Sequence, residues 1–358
     1  MIKSRRGMRT FSAMLFIPVL AALARAGFAQ VDDPDPAKAP WRFGLTFEND
    51  LLAGTDRYYT NGVKLALASP PWRGDVPAPG IPRPLQSLGR AFAPPRPSAD
   101  RRFFSFFLGQ EMYTPIDIWR PVPAADDPPY AGFLYAGMGF HRFGPSLLDS
   151  LTLVLGIVGP SSLAGAAQRA VHKAFGFERP AGWAHQLKDE PVLGVAFDRK
   201  GKIRPAAPSG RFGWDLVGHA GGALSNAVTE AAGGVLVRAG WGLPEDFGSA
   251  RQRLGIDVAG LCPDDGFGAR AAHDLDFYGF AGVDVHAVLR DIVLDGNSFR
   301  DGPSVEKVPL AADVTAGLAV RGRRFEIRFS YVYRTPRFVG ERKRFVYGSL
   351  SAVFGLGR

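Results

Sequence analysis

Gln168 and His172 stand four residues apart in SSLAGAAQRAVHKAFGFERPAGWAHQLKDE, residues 161–190. This is the one convincing helical stretch downstream of the N-terminal segment. A helix would put both side chains on one face. An imidazole titrates near neutral pH, so it can take a proton from water, and a neighbouring amide can orient the ring or the water. The same pattern also suits a capping helix whose histidine only touches a loop. A second polar group comprises Glu48, Asn49, Asp50, Asp56 and Thr60. Such oxygen donors suit a hard cation such as calcium, and they equally suit a hydrated turn. A third group, Tyr113 and Asp117 in GQEMYTPID with Asp126, Asp127 and Tyr130 in DDPPYAG, is also explained by Pro and Asp turn chemistry.

Other chemistries lack their patterns. There is no GxSxG elbow, no HExxH and no EF-hand loop. Cys262 is the sole cysteine, so no internal disulfide forms, and no motif surrounds it. His185, His219, His273 and His286 have no evident partners and read as lumen or loop residues.

The elements that must position these groups are strands. Residues 1–29 read as a secretion signal: Lys3, Arg5, Arg6 and Arg9 precede an apolar run from Phe11 to Leu23, and Gly27-Phe28-Ala29 forms a small-x-small cleavage site. Residues 30–358 are then one domain. Losing the signal takes the formal net charge from +9 to +4, so the basic balance is a weak argument for nucleic acid, and none is expected as a partner. No later stretch is apolar enough for a membrane helix. Period-two alternation is frequent instead. In 324–334, Phe325, Ile327, Phe329, Tyr331 and Tyr333 share one face, and Arg324, Glu326, Arg328, Ser330 and Arg334 share the other. Long alternating segments of this kind mark a membrane β-barrel. Twelve are legible, from 41–49 to 344–355, an even number that lets the sheet close.

With a periplasmic N-terminus, the connections after the first, third and fifth strands lie at the extracellular end. They hold the three polar groups above. Strand phase turns Glu48 and Asp50 towards the lumen and Asn49 outward. A serine, Ser161 or Ser162, is expected to cap the helix and Gly176 to end it. The same topology leaves two long periplasmic segments, 69–102 and 242–273. The Pro-rich stretch 70–97 is expected to be irregular or extended.

The ordered set FEND, TDRYYTNG, GQEMYTP, DDPPYAG, GIVGP, QRAVH and GWAHQLKDEP resembles the lipid A 3′-O-deacylase family of Gram-negative outer membranes. The likeness is dense from Phe47 to Pro191. It implies an all-β, twelve-stranded transmembrane antiparallel barrel with a short extracellular-side helix beside its wall. It also implies a calcium-dependent monomeric hydrolase that removes the 3′-linked acyl chain of lipid A in the outer leaflet. By position, His172 matches the catalytic histidine, with Gln168 beside it. Asn49 and Asp50 match the polar, metal-binding pair ending the first strand, and Thr60 matches the threonine opening the second. Arg120 stands nearest to a basic residue that the family can carry, and Arg120 or Lys173 would meet a lipid A phosphate. Two other readings stay open: an outer-membrane phospholipase, and a barrel without catalysis, such as a small porin or an adhesive protein.

Overall fold

Alternation becomes architecture where each strand can shed its apolar face into lipid. The computed structural model describes residues 40–50, 58–73, 81–92, 101–176, 179–204, 212–248, 261–262, 275–341 and 345–356. The expected signal segment lies outside them. The strands are β1 (Trp41–Asn49), β2 (Tyr58–Ala68), β3 (Trp72–Arg73), β4 (Arg101–Thr114), β5 (Ala131–Phe143), β6 (Leu147–Val158), β7 (Glu190–Ile203), β8 (Phe212–Ser225), β9 (Val228–Trp241), β10 (Asp276–Asp291), β11 (Leu310–Arg321), β12 (Phe325–Arg334) and β13 (Phe345–Leu356). Each pairs antiparallel with its neighbours, and β1 pairs with both β2 and β13, from Trp41↔Leu356 to Asn49↔Gly348. The sheet is therefore closed and leaves no wall edge in lipid. β3 is a two-residue extension beside β4, so twelve strands form the wall among the described residues.

Burial is inverted relative to a water-soluble protein. Leu108, Leu155, Leu193, Val235, Val283 and Leu318 are exposed, while Asp215, Arg238, Asp284, His286 and Asp313 are buried. The exposed set is the lipid-facing phase and the buried set fills the lumen. His219, which shows no partner in the sequence, bonds Asp198 at 3.1 Å through Nδ1 and Asp284 at 2.8 Å through Nε2. Arg238 binds Asp215 at 2.8 Å and also pairs with Asp246, which in turn pairs with Arg328. Arg42 donates to the carbonyl of Cys262 at 2.6 Å, and a Cβ on Gly44 would touch Leu261. The described parts of the long 242–273 connection thus enter the lumen, where Asp246, Phe247, Leu261 and Cys262 are buried.

Among the described residues three α-helices interrupt the strands. α1 (Arg83–Phe92) lies inside the Pro-rich stretch, which is therefore not irregular throughout. Pro84 falls in its first turn, where the missing N–H is tolerated, and the next prolines, Pro94 and Pro95, come after its end. α1 packs on the outward phase of β4 and β5, with Gly89 against Phe104 and Phe140. α2 (Ala164–Phe175) is the helix expected from the Gln168–His172 spacing. α3 (Ile292–Asp295) is a single turn capped by Asp291, whose carboxylate accepts from the Val293 N–H at 3.1 Å.

Candidate active site

α2 begins from a strained turn rather than a serine cap. Pro160–Ser162 forms a 3-10 turn, and Leu163 is the N-cap in the left-handed region at φ 61°. Neither serine is the N-cap, although the Ser162 hydroxyl lies 3.5 Å from the Ala164 N–H. The Ser162 hydroxyl donates to the Gly159 carbonyl at 2.5 Å, and the Ser161 backbone N–H and hydroxyl both donate to Asp189 at 2.8 Å. A non-glycine residue in this region is uncommon and marks a backbone that its surroundings impose. Here Gln110 on β4 donates to the Ser162 carbonyl at 2.6 Å and fixes the turn to the wall. At the other end Gly176, φ 69°, donates its N–H to the His172 carbonyl, as its position predicted.

Gly132 on β5 is the seat of the helix. A Cβ there would stand 2.2 Å from Ser162 Oγ and 2.4 Å from the Ala164 Cβ. Below α2, Met112, Ile118, Tyr130, Ala164 and Trp183 form an apolar cluster joined by Ala167. Met112 shares its strand phase with the exposed Leu108, so this cluster lies on the outer wall. Tyr130 donates to the Ile118 carbonyl at 2.9 Å, and its ring lies 4.9 Å from that of Trp183. Trp183 Nε1 in turn donates to Gln168 Oε1 at 2.6 Å. Gln168 and His172 are both buried, 4% and 7% exposed, although both are polar and lie on a helix outside the barrel.

The first two strands bring Asn49 and Thr60 to the same face. Asn49 pairs with Asn61, Asn61 with Met112 and Met112 with Gly132, so one row of the sheet leads from the end of β1 to the seat of α2. A bulge between Tyr59 and Asn61 inserts Thr60. Such an extra residue re-aims a side chain locally. Tyr59 turns inward, with its hydroxyl on Glu48 at 2.9 Å, while Thr60 Oγ1 lies 2.7 Å from Thr114 Oγ1 on the outward phase of β4. Asn49 and Thr60 are buried, and Asp50, immediately past β1, is fully buried. Arg120 and Lys173 are exposed; the Arg120 carbonyl would lie 3.0 Å from a Cβ on Gly182. Asp56 lies outside the described residues.

Behind this face the lumen holds a carboxylate set among phenols: Glu111 accepts from Tyr113 at 2.6 Å and from Tyr135 at 3.2 Å. Above it, Asp127 accepts from the Ile116 backbone N–H at 2.7 Å, the turn chemistry that DDPPYAG suggested. Burial raises the Asp127 carboxyl to about 6. Among the described residues no three His, Cys, Asp or Glu side chains gather as a metal cluster.

The family model of the outer membrane protein LpxR matches residues 11–356. This chain belongs to that family. As an LpxR-family member it is an outer-membrane β-barrel protein. LpxR from Salmonella typhimurium has the same fold: the TM-score is 0.68 at 16% identity, over 88% of this chain and 100% of that one. The beta domain of the Bordetella autotransporter BrkA aligns at a TM-score of 0.41 and 12% identity, over 89% of this chain and 100% of that one. The KdgM porin aligns at 0.33 and 5%, over 88% and 99%. No curated protein matches the chain by sequence. In this LpxR-family chain, residues that sequence reasoning gave no role, namely Gln110, Thr114, Gly132 and Trp183, do the positioning. Trp183 was present in the GWAHQLKDEP motif, but its fifteen-residue separation from Gln168 is no helical or strand period.

Proposed function

We propose that this protein is an outer-membrane lipid A deacylase that hydrolyses the 3′-linked acyl or acyloxyacyl ester. The observation that supports this most directly is a buried Gln168–His172 pair on the outward face of the wall, at the end that a periplasmic N-terminus makes extracellular. Acyl chains of an outer-leaflet lipid can reach such a face by sliding along the exposed leucines, without leaving the membrane.

In this reading His172 takes a proton from water as its oxygen attacks the ester carbonyl. The tetrahedral intermediate then breaks its C–O bond to the sugar, and the leaving sugar oxygen takes the proton from His172 to become a hydroxyl. The Gln168 side chain lies one turn before that of His172; among the described residues its one side-chain hydrogen bond goes to Trp183, which leaves Nε2 for substrate or water. Thr60, tied to Thr114, stands where a hydroxyl can contact the ester. The exposed Arg120 and Lys173 serve lipid A phosphates.

A cation fits the donor set at the end of β1. The Asp50 carboxylate and the Asn49 amide oxygen are hard donors in a buried place, which calcium prefers to softer ligands. Backbone carbonyls, water and substrate would supply the rest of its shell. When bound, calcium supplies charge that stabilises the oxyanion.

The test is mass spectrometry of lipid A from cells expressing the wild type or His172→Ala. Loss of an acyl mass in the wild type alone supports the reading. Intact lipid A from a folded wild-type barrel refutes it, and phospholipid turnover in the same cells would identify a phospholipase instead.

A further inference from the structure

We infer that Trp183 is a positioning residue that holds the Gln168 amide so that its NH2 group faces the reacting ester. The inference rests on the deacylase reading and assigns Gln168 its direction within it.

An indole N–H donates and never accepts. Its 2.6 Å contact therefore fixes which end of the Gln168 amide is oxygen, because the flipped amide would set two donors head to head. The other end, Nε2, is buried and finds no hydrogen-bond partner among the described residues. Gln168 as a whole is 4% exposed. Native structures leave few buried donors in this state, and a bound water, ion or ligand commonly supplies the missing acceptor. The partner must be an acceptor oxygen. The ester carbonyl qualifies, and the oxyanion formed from it qualifies better, since hydrogen bonds to a charged oxygen are stronger.

Trp183 is itself held on every side. Its ring lies on Tyr130, which is tied to the Ile118 carbonyl. A Cβ on Gly165 of α2 would stand 2.9 Å from the Trp183 ring, so the helix lies directly on the indole. Its neighbour Gly182 leaves no room for a Cβ against Tyr130, at 2.4 Å. The indole thus has little freedom to release the amide. A glutamine on a bare helix would rotate between donor and acceptor; this one presents a donor.

The experiment compares wild type, Trp183→Phe and Gln168→Glu in detergent on purified lipid A, with kcat and KM measured separately. Phenylalanine keeps an aromatic ring beside Tyr130 and removes the N–H together with the five-membered ring that carries it. Trp183→Phe should lower kcat about tenfold, leave KM within about twofold and leave the pH profile of kcat unchanged. Gln168→Glu, which still accepts from Trp183 but has no NH2, should lower kcat about 100-fold. The lost ring volume lowers the melting temperature under either reading, whereas a purely structural Trp183 would move KM along with kcat. Selective 15N-glutamine labelling reads the same orientation without turnover. The Gln168 side-chain amide, identified by its loss in Gln168→Glu, should exchange slowly with solvent in the wild type and at least about tenfold faster in Trp183→Phe. An unchanged amide signal, or wild-type kcat in either variant, overturns the inference. A wild type that leaves lipid A intact while the amide signal responds would refute the deacylase reading and keep the positioning role.

Discussion

Gly132→Ala places one methyl group under the start of α2. That methyl would stand 2.2 Å from Ser162 Oγ and 2.4 Å from the Ala164 Cβ. Ordinary van der Waals contact begins near 3.4 Å, so each neighbour is about 1 Å too close. Neither can yield alone. Ser162 Oγ is engaged with the Gly159 carbonyl, the Ser162 carbonyl is held by Gln110, and the Ala164 Cβ is fixed to the helix backbone. The helix start must therefore rise by about 1 Å and carry Gln168 and His172 with it. A misplacement of about 1 Å costs on the order of 100-fold in rate, and the overpacking costs about 1–3 kcal/mol. The strand ladder beneath is untouched, so the barrel should remain folded. The assay is the initial rate of acyl loss from lipid A, followed by mass spectrometry, with heat-modifiable electrophoretic mobility reporting the barrel. Gly201→Ala is the control, because a Cβ there meets nothing within 4 Å. A folded Gly132→Ala barrel at the wild-type rate would refute the argument that this seat sets the position of the helix.

Three further outcomes are expected. A calcium chelator should stop deacylation, and Asp50→Asn should raise the calcium concentration for half-maximal rate about tenfold or more, as fewer anionic ligands weaken a hard-cation site; full turnover in chelator would sink the calcium assignment. Asp127 should titrate near 6 by carbon NMR. Because its folded pKa lies above the unfolded one, its contribution to loop stability is fully present below about 4 and is lost as pH rises through 6, so the intrinsic-rate-corrected protection of the Ile116 amide should fall over that window; a midpoint near 4 would show the carboxyl is solvated. Asp246→Ala removes a buried charge from between Arg238 and Arg328 and should cost about 3 kcal/mol, the low end for a broken buried pair because Asp215 and Glu326 remain beside the arginines. Urea unfolding in detergent micelles reads this, and an unshifted midpoint would mean that the lumen network does not hold the 242–248 segment.

Much of this protein is local and was therefore legible. Phe325 to Tyr333 alternate because a strand shows its side chains to two faces in turn, and lipid on one side with a polar lumen on the other makes that pattern visible residue by residue. Gln168 and His172 share a face because a helix turns every 3.6 residues. Gly176 ends the helix because a left-handed C-cap favours glycine. Asn49 faces outward by parity alone.

What tertiary structure decided depends on contacts between segments with no fixed spacing. The bulge that turns Thr60 outward exists only because β2 pairs with β4 out of step. The helix in the Pro-rich stretch is stabilised by Phe104 and Phe140, which no local propensity of residues 83–92 announces. Leu163 caps α2 in place of a serine because Gln110 and Asp189 claim the turn. The described parts of the long connection beyond β9 enter the lumen because Arg238, Arg328 and Arg42 wait there as partners. Most of all, the sequence determined that an amide and an imidazole share one helical face, while only the fold decided which way the amide points. Helical spacing is written in four residues; the direction of a hydrogen bond is set by an indole that arrives from fifteen residues away.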